Sequence, residues 1–233
     1  MDEHRVQYLK DLGITAWVRR ERTYTSLAMG ATGTPSMDVI GSRESGIAVM
    51  GWPELEQAVT GCTACGLRAG CARTVFGVGA RQAEWMVIGE APGADEDKQG
   101  EPFVGRAGQL LNSMLAAIGL KREQVYIANI LKCRPPGNRD PKPEEAELCR
   151  PFLQRQIALI RPKLILAVGR IAAQNLLNTG TPIGHLRGRV HQLGNIPVVV
   201  TYHPAYLLRS PGEKRKAWTD LQLALRILNG GNG

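Results

Sequence analysis

Short apolar runs alternate with amphipathic stretches along the chain from about residue 51 onward. The apolar runs are rich in Val, Ile and Leu, and they predict buried strands at about 84–89, 125–130, 163–168, 190–193 and 197–201. Apolar residues at helical spacing predict helices at about 53–59, 105–118, 143–160, 169–178 and 213–228. Strands that alternate with helices of this length indicate an α/β fold with a mostly parallel sheet covered on both faces.

The first 50 residues follow a different pattern. Residues 2–19 carry Val6, Leu9, Ile14 and Trp17 at near-helical spacing, which predicts a helical arm over 1–20. The segment 21–50 is rich in Thr, Ser, Gly, Ala and Met without clear periodicity, and we expect a flexible linker there. The chain is therefore predicted to consist of an arm (1–20), a linker (21–50) and one domain (51–233).

The strand predicted at 84–89 runs into a loop dense in glycine, proline and carboxylates, with the sequence GEAPGADED at 89–97. Open α/β sheets bind their ligands where a strand ends in such a loop. The loop lacks the Lys-Ser/Thr ending of a phosphate-binding loop, which argues against a nucleoside triphosphate as the ligand. Glu90, at the end of the strand, could position a water molecule, whereas the acidic run at 95–97 is typical of a solvated loop.

Three further side chains are candidates for the same site. Phe103 lies just beyond the loop, and it is either a core aromatic or a surface on which a base stacks. Asn129 is an amide within an apolar strand, so it must find hydrogen-bond partners, either on a neighbouring loop or on the edge of a pyrimidine. His203 directly follows the last predicted strand, a placement that favours a site over a structural role.

The chain carries a formal net charge of +8. Lysines and arginines that neutralise phosphates release counterions, so this charge suits a nucleic-acid partner, although a basic surface without a partner gives the same value. The imbalance is largest between Arg187 and Lys216, where six basic residues accompany one acidic residue. The sequence shows no apolar run near the roughly 20 residues of a membrane span and no signal-peptide pattern at its start. We therefore expect a cytoplasmic protein without a membrane partner.

Five cysteines in a reducing compartment point to metal binding rather than to disulfides. Cys62 and Cys65 form a C-x2-C pair that can bind one centre from a single turn, whereas Cys133 and Cys149 do not form a second such pair. Four thiolates without a nearby histidine fit an iron–sulfur cluster or a tetrahedral zinc site, and unliganded buried cysteines are the third interpretation. Cys71 has no partner at a typical spacing and is the expected spare thiol.

These stretches together resemble the family 4 uracil-DNA glycosylases, the iron–sulfur branch of the uracil-DNA glycosylase superfamily. The resemblance rests on four motifs in the order of the family, namely GEAPGADED at 89–97, GEPFVGRAG at 100–108, ANILKCRPP at 128–136 and HPAYLLR at 203–209. It covers the chain from about Trp52 to the C-terminus and leaves out the predicted arm and linker.

The resemblance implies a three-layer α/β/α sandwich around a central four-stranded parallel sheet. It also implies hydrolysis of the N-glycosidic bond of deoxyuridine in DNA, which leaves an abasic site. A [4Fe-4S] cluster with a structural role would be bound by four thiolates, those of Cys62, Cys65, Cys133 and Cys149. We expect a monomer, with the N-terminal arm as a candidate site for a protein partner.

The resemblance further implies how the DNA and the base are held. Uracil is extruded from the duplex, because a base inside the stack is out of reach of an enzyme. Leu207 or Leu208 would fill the gap that the base leaves, and Arg209 would contact the DNA. Phe103 would stack on the uracil, and Asn129 would bond its Watson–Crick edge.

The remaining implied roles concern the reaction itself. His203 would donate a hydrogen bond to O2 as negative charge grows on the departing base. Glu90 would position the water or stabilise the sugar cation, and Ala91 beside it would contact the substrate. Two other classes of protein stay open, a non-catalytic DNA-binding or replication-associated factor tethered by its arm, and a zinc-stabilised nucleotide-binding module.

Overall fold

A mixed sheet of six strands forms the centre of the protein in a computed structural model that describes residues 37–230. The strands, in chain order, are β1 (Val78–Gly79), β2 (Trp85–Gly89), β3 (Tyr126–Asn129), β4 (Leu164–Val168), β5 (Val190–Leu193) and β6 (Ile196–Thr201). They lie in the order β1-β3-β2-β4-β6-β5. The four central strands are parallel, and the edge strands β1 and β5 are antiparallel to their neighbours.

The predicted α/β class is confirmed, but the sheet has six strands instead of the four parallel ones expected. The edge strand β1 has only two residues, too few for a periodic pattern to reveal it. The segment of β5 was expected to be a strand, and its direction follows from its connection to β6. Only Gly194 and Asn195 separate the two strands, and so short a turn joins antiparallel neighbours, whereas parallel neighbours need a long crossover.

Helices cover both faces of this sheet. Nine α-helices lie within residues 37–230, namely α1 (Met37–Val49), α2 (Trp52–Thr60), α3 (Ala94–Gln99), α4 (Arg106–Ala117), α5 (Pro143–Ile160), α6 (Arg170–Leu177), α7 (Ile183–Leu186), α8 (Pro204–Arg209) and α9 (Lys214–Leu228). The five helices predicted from the sequence correspond to α2, α4, α5, α6 and α9. The predicted first and last residues lie at most one or two residues from the observed ones.

Two apolar cores separate the helices from the sheet. Successive strand residues point to opposite faces, so Met86 and Ile88 pack with α5 and α6, while Trp85 and Val87 pack with α4 and α9. All four side chains are at most 4% exposed, as expected for parallel strands covered on both sides. This arrangement fixes the carboxyl ends of β2, β3, β4 and β6 along one edge of the sheet.

Part of the predicted linker is a packed helix. The arm predicted over 1–20 and residues 21–36 of the linker lie outside the described residues, but 37–49 form α1. Ile47 of α1 is buried in a cluster with Phe152 of α5, and Arg43 donates to the carbonyl oxygen of Leu148 at 2.9 Å. The linker prediction is therefore wrong for 37–49, because contacts with α5 stabilise a helix whose own sequence gives little periodic signal.

The acidic run at 95–97 is also ordered, contrary to the solvated loop expected. Its residues lie in the first turn of α3, where the helix dipole favours carboxylates. Asp97 is 6% exposed, and its Oδ1 accepts hydrogen bonds from the backbone amides of Ala72 at 2.9 Å and Arg73 at 3.5 Å. Only Asp95 is exposed, so two of the three carboxylates serve backbone donors inside the protein.

No helix within residues 37–230 combines the length and the apolar character that crossing a membrane requires.

Candidate active site

The carboxyl ends of β2, β3 and β6 open into a cavity of about 460 Å³. Each strand brings one polar candidate to it, Glu90 directly after β2, Asn129 as the last residue of β3, and His203 two residues after β6. Phe103 and Ala91 line the same cavity. The structure thus brings together five side chains that the sequence singled out separately, at the edge of the sheet where α/β folds place ligands.

His203 is held in one orientation and one tautomer. It caps the N-terminus of α8, where Pro204 occupies the first turn, and its Nδ1 accepts a hydrogen bond from the amide of Ala205 at 3.1 Å. Because Nδ1 is an acceptor, the proton of the neutral ring lies on Nε2. Burial, helped by the charge of Arg209, lowers the pKa of His203 to about 4. At neutral pH the ring is therefore an uncharged N–H donor.

Phe103 forms an aromatic wall of the cavity together with His203. The two rings stack with centroids 5.6 Å apart and planes inclined by 30°. Gly89 makes room for this arrangement, because a Cβ at that position would lie 2.6 Å from the Phe103 ring and 2.5 Å from Oδ1 of Asn129. Phe103 itself has a φ of 54°, an uncommon backbone conformation for a bulky residue. Such strain persists only where the surrounding structure enforces it.

Asn129 presents an unsatisfied acceptor. The residue is 2% exposed, and its Oδ1 has no hydrogen-bond partner among the described residues. Its backbone carbonyl accepts from Nζ of Lys132 at 3.0 Å, which ties the end of β3 to the interior. A buried carbonyl oxygen without a donor destabilises the free protein, so this atom is suited to accept an N–H from a ligand.

Glu90 is half-buried, and its ionisation is poised near neutral pH. Burial, reinforced by the negative charge of Asp140 and opposed by Arg170, raises the pKa of Glu90 to about 7. Asp140 also lines the cavity, and it pairs with Arg170 at 2.6 Å. A carboxylate with such a pKa can accept a proton from a water molecule at physiological pH.

Sequence reasoning missed several residues of the cavity wall. Arg139 and Asp140 lie on the loop between β3 and α5, and Arg139 is fixed by Glu145 of α5, with Nη1 2.8 Å from Oε2. Tyr206 stands at the rim, 37% exposed, with its ring 5.0 Å from that of Tyr202. The position of these residues inside or beside the recognised motifs was the only signal that the sequence offered.

The three residues predicted to contact DNA differ in their exposure. Leu207 is 1% exposed and packs in the core between the sheet and α4, which does not suit a residue that would enter a DNA stack. The sequence offered both leucines as equivalent candidates, but 204–209 form the helix α8, and neighbouring residues of a helix point about 100° apart. Leu208 is half-buried, whereas Arg209 is exposed and lines the cavity. Solvent therefore reaches Leu208 and Arg209 but not Leu207.

The four predicted ligand cysteines line a second, small and mostly apolar cavity. Three segments supply them, the turn after α2 (Cys62 and Cys65), the loop after β3 (Cys133) and helix α5 (Cys149). Burial raises the pKa of Cys133, and it raises that of Cys149 to about 11. Thiolates in such a place need a cationic partner, as a metal centre provides.

The fifth cysteine and the cation Arg43 lie beside this cysteine cavity. Cys71 is buried and hydrogen-bonded to Cys133, so the spare thiol of the sequence prediction lies beside the cysteine cavity rather than apart from it. The guanidinium of Arg43 lies 3.7 Å from Sγ of Cys62. No three His, Cys, Asp or Glu side chains within 37–230 are grouped closely enough to share a single metal ion.

Comparison with known proteins places the chain beside DNA glycosylases. The family model described as "Uracil DNA glycosylase superfamily" matches residues 76–222. A type-4 uracil-DNA glycosylase of Archaeoglobus fulgidus is 45% identical over 177 residues, which are 72% of this chain and 89% of that protein. Proteins of the same name from Pyrobaculum aerophilum and Thermotoga maritima are 40% and 44% identical, over 73% and 67% of this chain and 91% and 82% of theirs.

Proposed function

The chain belongs to the uracil-DNA glycosylase superfamily and is a hydrolase of N-glycosyl bonds, and we propose that it binds extruded uracil in the cavity described above. The observation that carries this proposal is the meeting of three groups in one cavity, the free Oδ1 of Asn129, the Nε2–H of His203 and the ring of Phe103. Together they match the acceptor, donor and stacking surface that a pyrimidine requires.

The base would be held from its face and from its edge. A base leaves the duplex before an enzyme acts on it, and aromatic stacking then replaces the lost neighbours. The ring of Phe103 offers that surface. The Oδ1 of Asn129 would accept from N3–H of uracil and its Nδ2 would donate to O4, a pattern that cytosine cannot match at either position.

Departure of the base leaves negative charge on the uracil ring, chiefly at O2. The neutral His203 would donate from Nε2 to this oxygen, and the fixed Nδ1 contact keeps the donor aimed without reorganisation. The sugar becomes cationic, and a water molecule must add to it. Glu90, whose pKa of about 7 leaves a large carboxylate fraction at neutral pH, would orient this water and take its proton.

The rim of the cavity would contact the DNA around the extruded nucleotide. Arg209 is exposed there and can neutralise a phosphate, and Tyr206 presents an aromatic ring beside it. Of the two leucines, only Leu208 can be reached from solvent, so Leu208 is the better candidate to fill the gap in the duplex.

A four-iron cluster fits the cysteine cavity. Four thiols from three segments line it, one of them buried and three half-buried, and its walls are mostly apolar. The cations Arg43 and Lys132 lie near enough to balance thiolate charge. Cys62, Cys65, Cys133 and Cys149 would hold the cluster, which distributes its ligands over four irons instead of one. When bound, it would crosslink the three segments, and the loop from Cys133 to α5 that carries Arg139 and Asp140 would thereby be held in place.

An excision assay tests the proposed reaction. A single-stranded oligonucleotide with one uracil should break at that position after incubation with the protein and treatment with alkali, and the same oligonucleotide with thymine should stay intact. Asn129→Ala should remove most of the activity, while His185→Ala, an exposed histidine outside the cavity, should keep it. DNA binding without strand breakage would instead favour a non-catalytic DNA-binding protein.

A separate measurement tests the cluster. Protein purified without oxygen should be yellow-brown and contain about four irons per chain, as expected for a [4Fe-4S] centre. Cys149→Ala should lose the colour, and Cys71→Ala, a matched change of a buried cysteine in the same group, should retain it. A colourless wild-type protein that contains zinc would overturn the cluster.

A further inference from the structure

We propose that Arg122 and Glu96 are positioning residues that clamp one peptide group and thereby hold the ring of Phe103 against the substrate base. The inference rests on the proposed function, because it concerns the residue that would stack on uracil. It also gives a role to the acidic run at 95–97. Neither Arg122 nor Glu96 was among the site residues predicted from the sequence.

The problem that the clamp solves is the backbone of Phe103. Its φ of 54° is in the left-handed region, which is unfavourable for a residue with a large side chain. In the usual extended conformation the Cα–Cβ bond would point elsewhere, and the ring would leave the wall that it shares with His203. The stacking geometry therefore depends on groups that keep this residue in its strained state.

Arg122 holds the carbonyl side of the peptide. Its guanidinium donates to the carbonyl oxygen of Phe103 at 3.2 Å and, through Nη2, to the carbonyl oxygen of Pro102. The same group donates to Oδ1 of Asn112 on α4 at 3.2 Å. A planar guanidinium with several fixed donors suits this task, and an ammonium cannot reproduce it. Arg122 stands in the turn directly before the strand that carries Asn129.

Glu96 holds the amide side of the same peptide. Its Oε1 accepts from the N–H of Val104 at 3.0 Å and of Gly105 at 3.3 Å, and its Oε2 accepts from the N–H of Gly93 at 3.1 Å. The carbonyl of Phe103 and the N–H of Val104 belong to one planar peptide group. Arg122 and Glu96 therefore fix the peptide that follows Cα of Phe103, and the bond from Arg122 to the carbonyl of Pro102 holds the peptide that precedes it. Held on both sides, Phe103 keeps both of its backbone rotations, the positive φ included.

Helix α4 packs closely against this peptide group. A Cβ on Gly108 would lie 1.8 Å from the carbonyl oxygen of Phe103, so the first turns of α4 pack directly on the clamped group. Glu96 also lines the cavity, whereas Arg122 does not. Substitution of Arg122 therefore tests positioning without removing a group that faces the base.

A double-mutant cycle separates positioning from general stability. Arg122→Met, which keeps an apolar stem but removes the donors, should lower kcat/KM on the single-stranded uracil oligonucleotide by about 10- to 100-fold, since a small misplacement in an active site has effects of this size. In a Phe103→Ala background the same change should cost less than about threefold, because no ring remains to be positioned. Arg122→Lys should recover only part of the loss.

The matched control is Arg81→Met. Arg81 lies over the ring of Trp52, outside the cavity, and the variant should retain wild-type kcat/KM.

The outcomes distinguish the clamp from the function on which it rests. Wild-type kcat/KM in Arg122→Met, or an equal loss in both backgrounds, would overturn the clamp while leaving uracil excision intact. Absence of excision in both the wild type and Arg81→Met would overturn the proposed function and the clamp with it. Should Arg122→Met fail to fold, as judged by circular dichroism, Arg122→Gln carries the same cycle with the same expectations.

Discussion

Burial acts on two residues of the cavity in ways that suit opposite tasks. It lowers the pKa of His203 to about 4 and raises that of Glu90 to about 7, because in both cases the charged form is the less favourable one in the interior. The histidine is thereby a neutral donor at physiological pH, and the glutamate is a base that has lost its proton in a large fraction of molecules. The two residues thus divide donor and acceptor roles between them.

The pH dependence of excision should report Glu90. If the carboxylate form is the active one, kcat rises with pH through a midpoint near 7, since the fraction without a proton grows across that range. Glu90→Gln should give a low rate that no longer changes there. Asp140→Asn should move the midpoint to lower pH, because the charge of Asp140 contributes to the raised pKa. If kcat of Glu90→Gln still rose with pH through a midpoint near 7, as in the wild type, the assignment to Glu90 would be contradicted.

His203→Ala should lower kcat by about 100- to 1000-fold, the effect typical of removing one preorganised donor to a developing oxyanion. The protein should stay folded, and its affinity for uracil-containing DNA should change much less than its rate. Single-turnover kinetics measure the chemical step directly, and His191→Ala, a histidine outside the cavity, is the matched control. A wild-type rate for His203→Ala would remove the imidazole from the mechanism.

At the scale of secondary-structure elements, helices decide which side of a motif meets the solvent. Leu207 and Leu208 are equivalent in the sequence, yet α8 directs the first into the core and leaves the second half-exposed. Likewise α3 converts an acidic run into a set of acceptors for backbone amides of two loops. In both cases the residue type alone did not predict whether the side chain is buried or exposed.

The packing of α1 on α5 can be measured with a matched pair of substitutions. Ile47 is 3% exposed and Val49 is 79% exposed, although they are two residues apart on the same helix. Ile47→Ala should lower the free energy of unfolding by about 2–4 kcal/mol, as for other buried isoleucines. Val49→Ala should change it by less than about 0.5 kcal/mol. Equal small effects in anaerobic denaturant titrations would show that α1 contributes nothing to stability.

At the scale of the whole molecule, the net charge of +8 suits a partner with many phosphates. Binding to uracil-containing DNA should therefore weaken as salt rises. Arg209→Gln, at the rim of the cavity, should reduce the slope of log affinity against log salt by about one, the value for one phosphate contact. Arg226→Gln, exposed on α9 and outside the cavity, should leave the slope unchanged. Identical slopes in both variants would remove Arg209 from the DNA contacts.

The sequence by itself determined five of the six strands, all except β1, and the residues at the ends of the central strands. Apolar periodicity identifies strands and helices because it depends on neighbours only a few positions apart. Parallel strands then bring Glu90, Asn129 and His203 to one edge, as their positions in or directly after three apolar runs had indicated. The four motifs could also be recognised from the sequence, because each is a short continuous stretch.

Only the tertiary structure decided what depends on contacts between distant segments. The helix α1 is stabilised by contacts with α5, about a hundred residues later in the chain. The side chain of Leu207 is buried because α8 packs on α4. The strained Phe103 is held by Arg122, 19 positions later, through hydrogen bonds to carbonyl groups that every residue possesses. No local pattern reveals such bonds, because the acceptor is the backbone itself and its position is set by the fold.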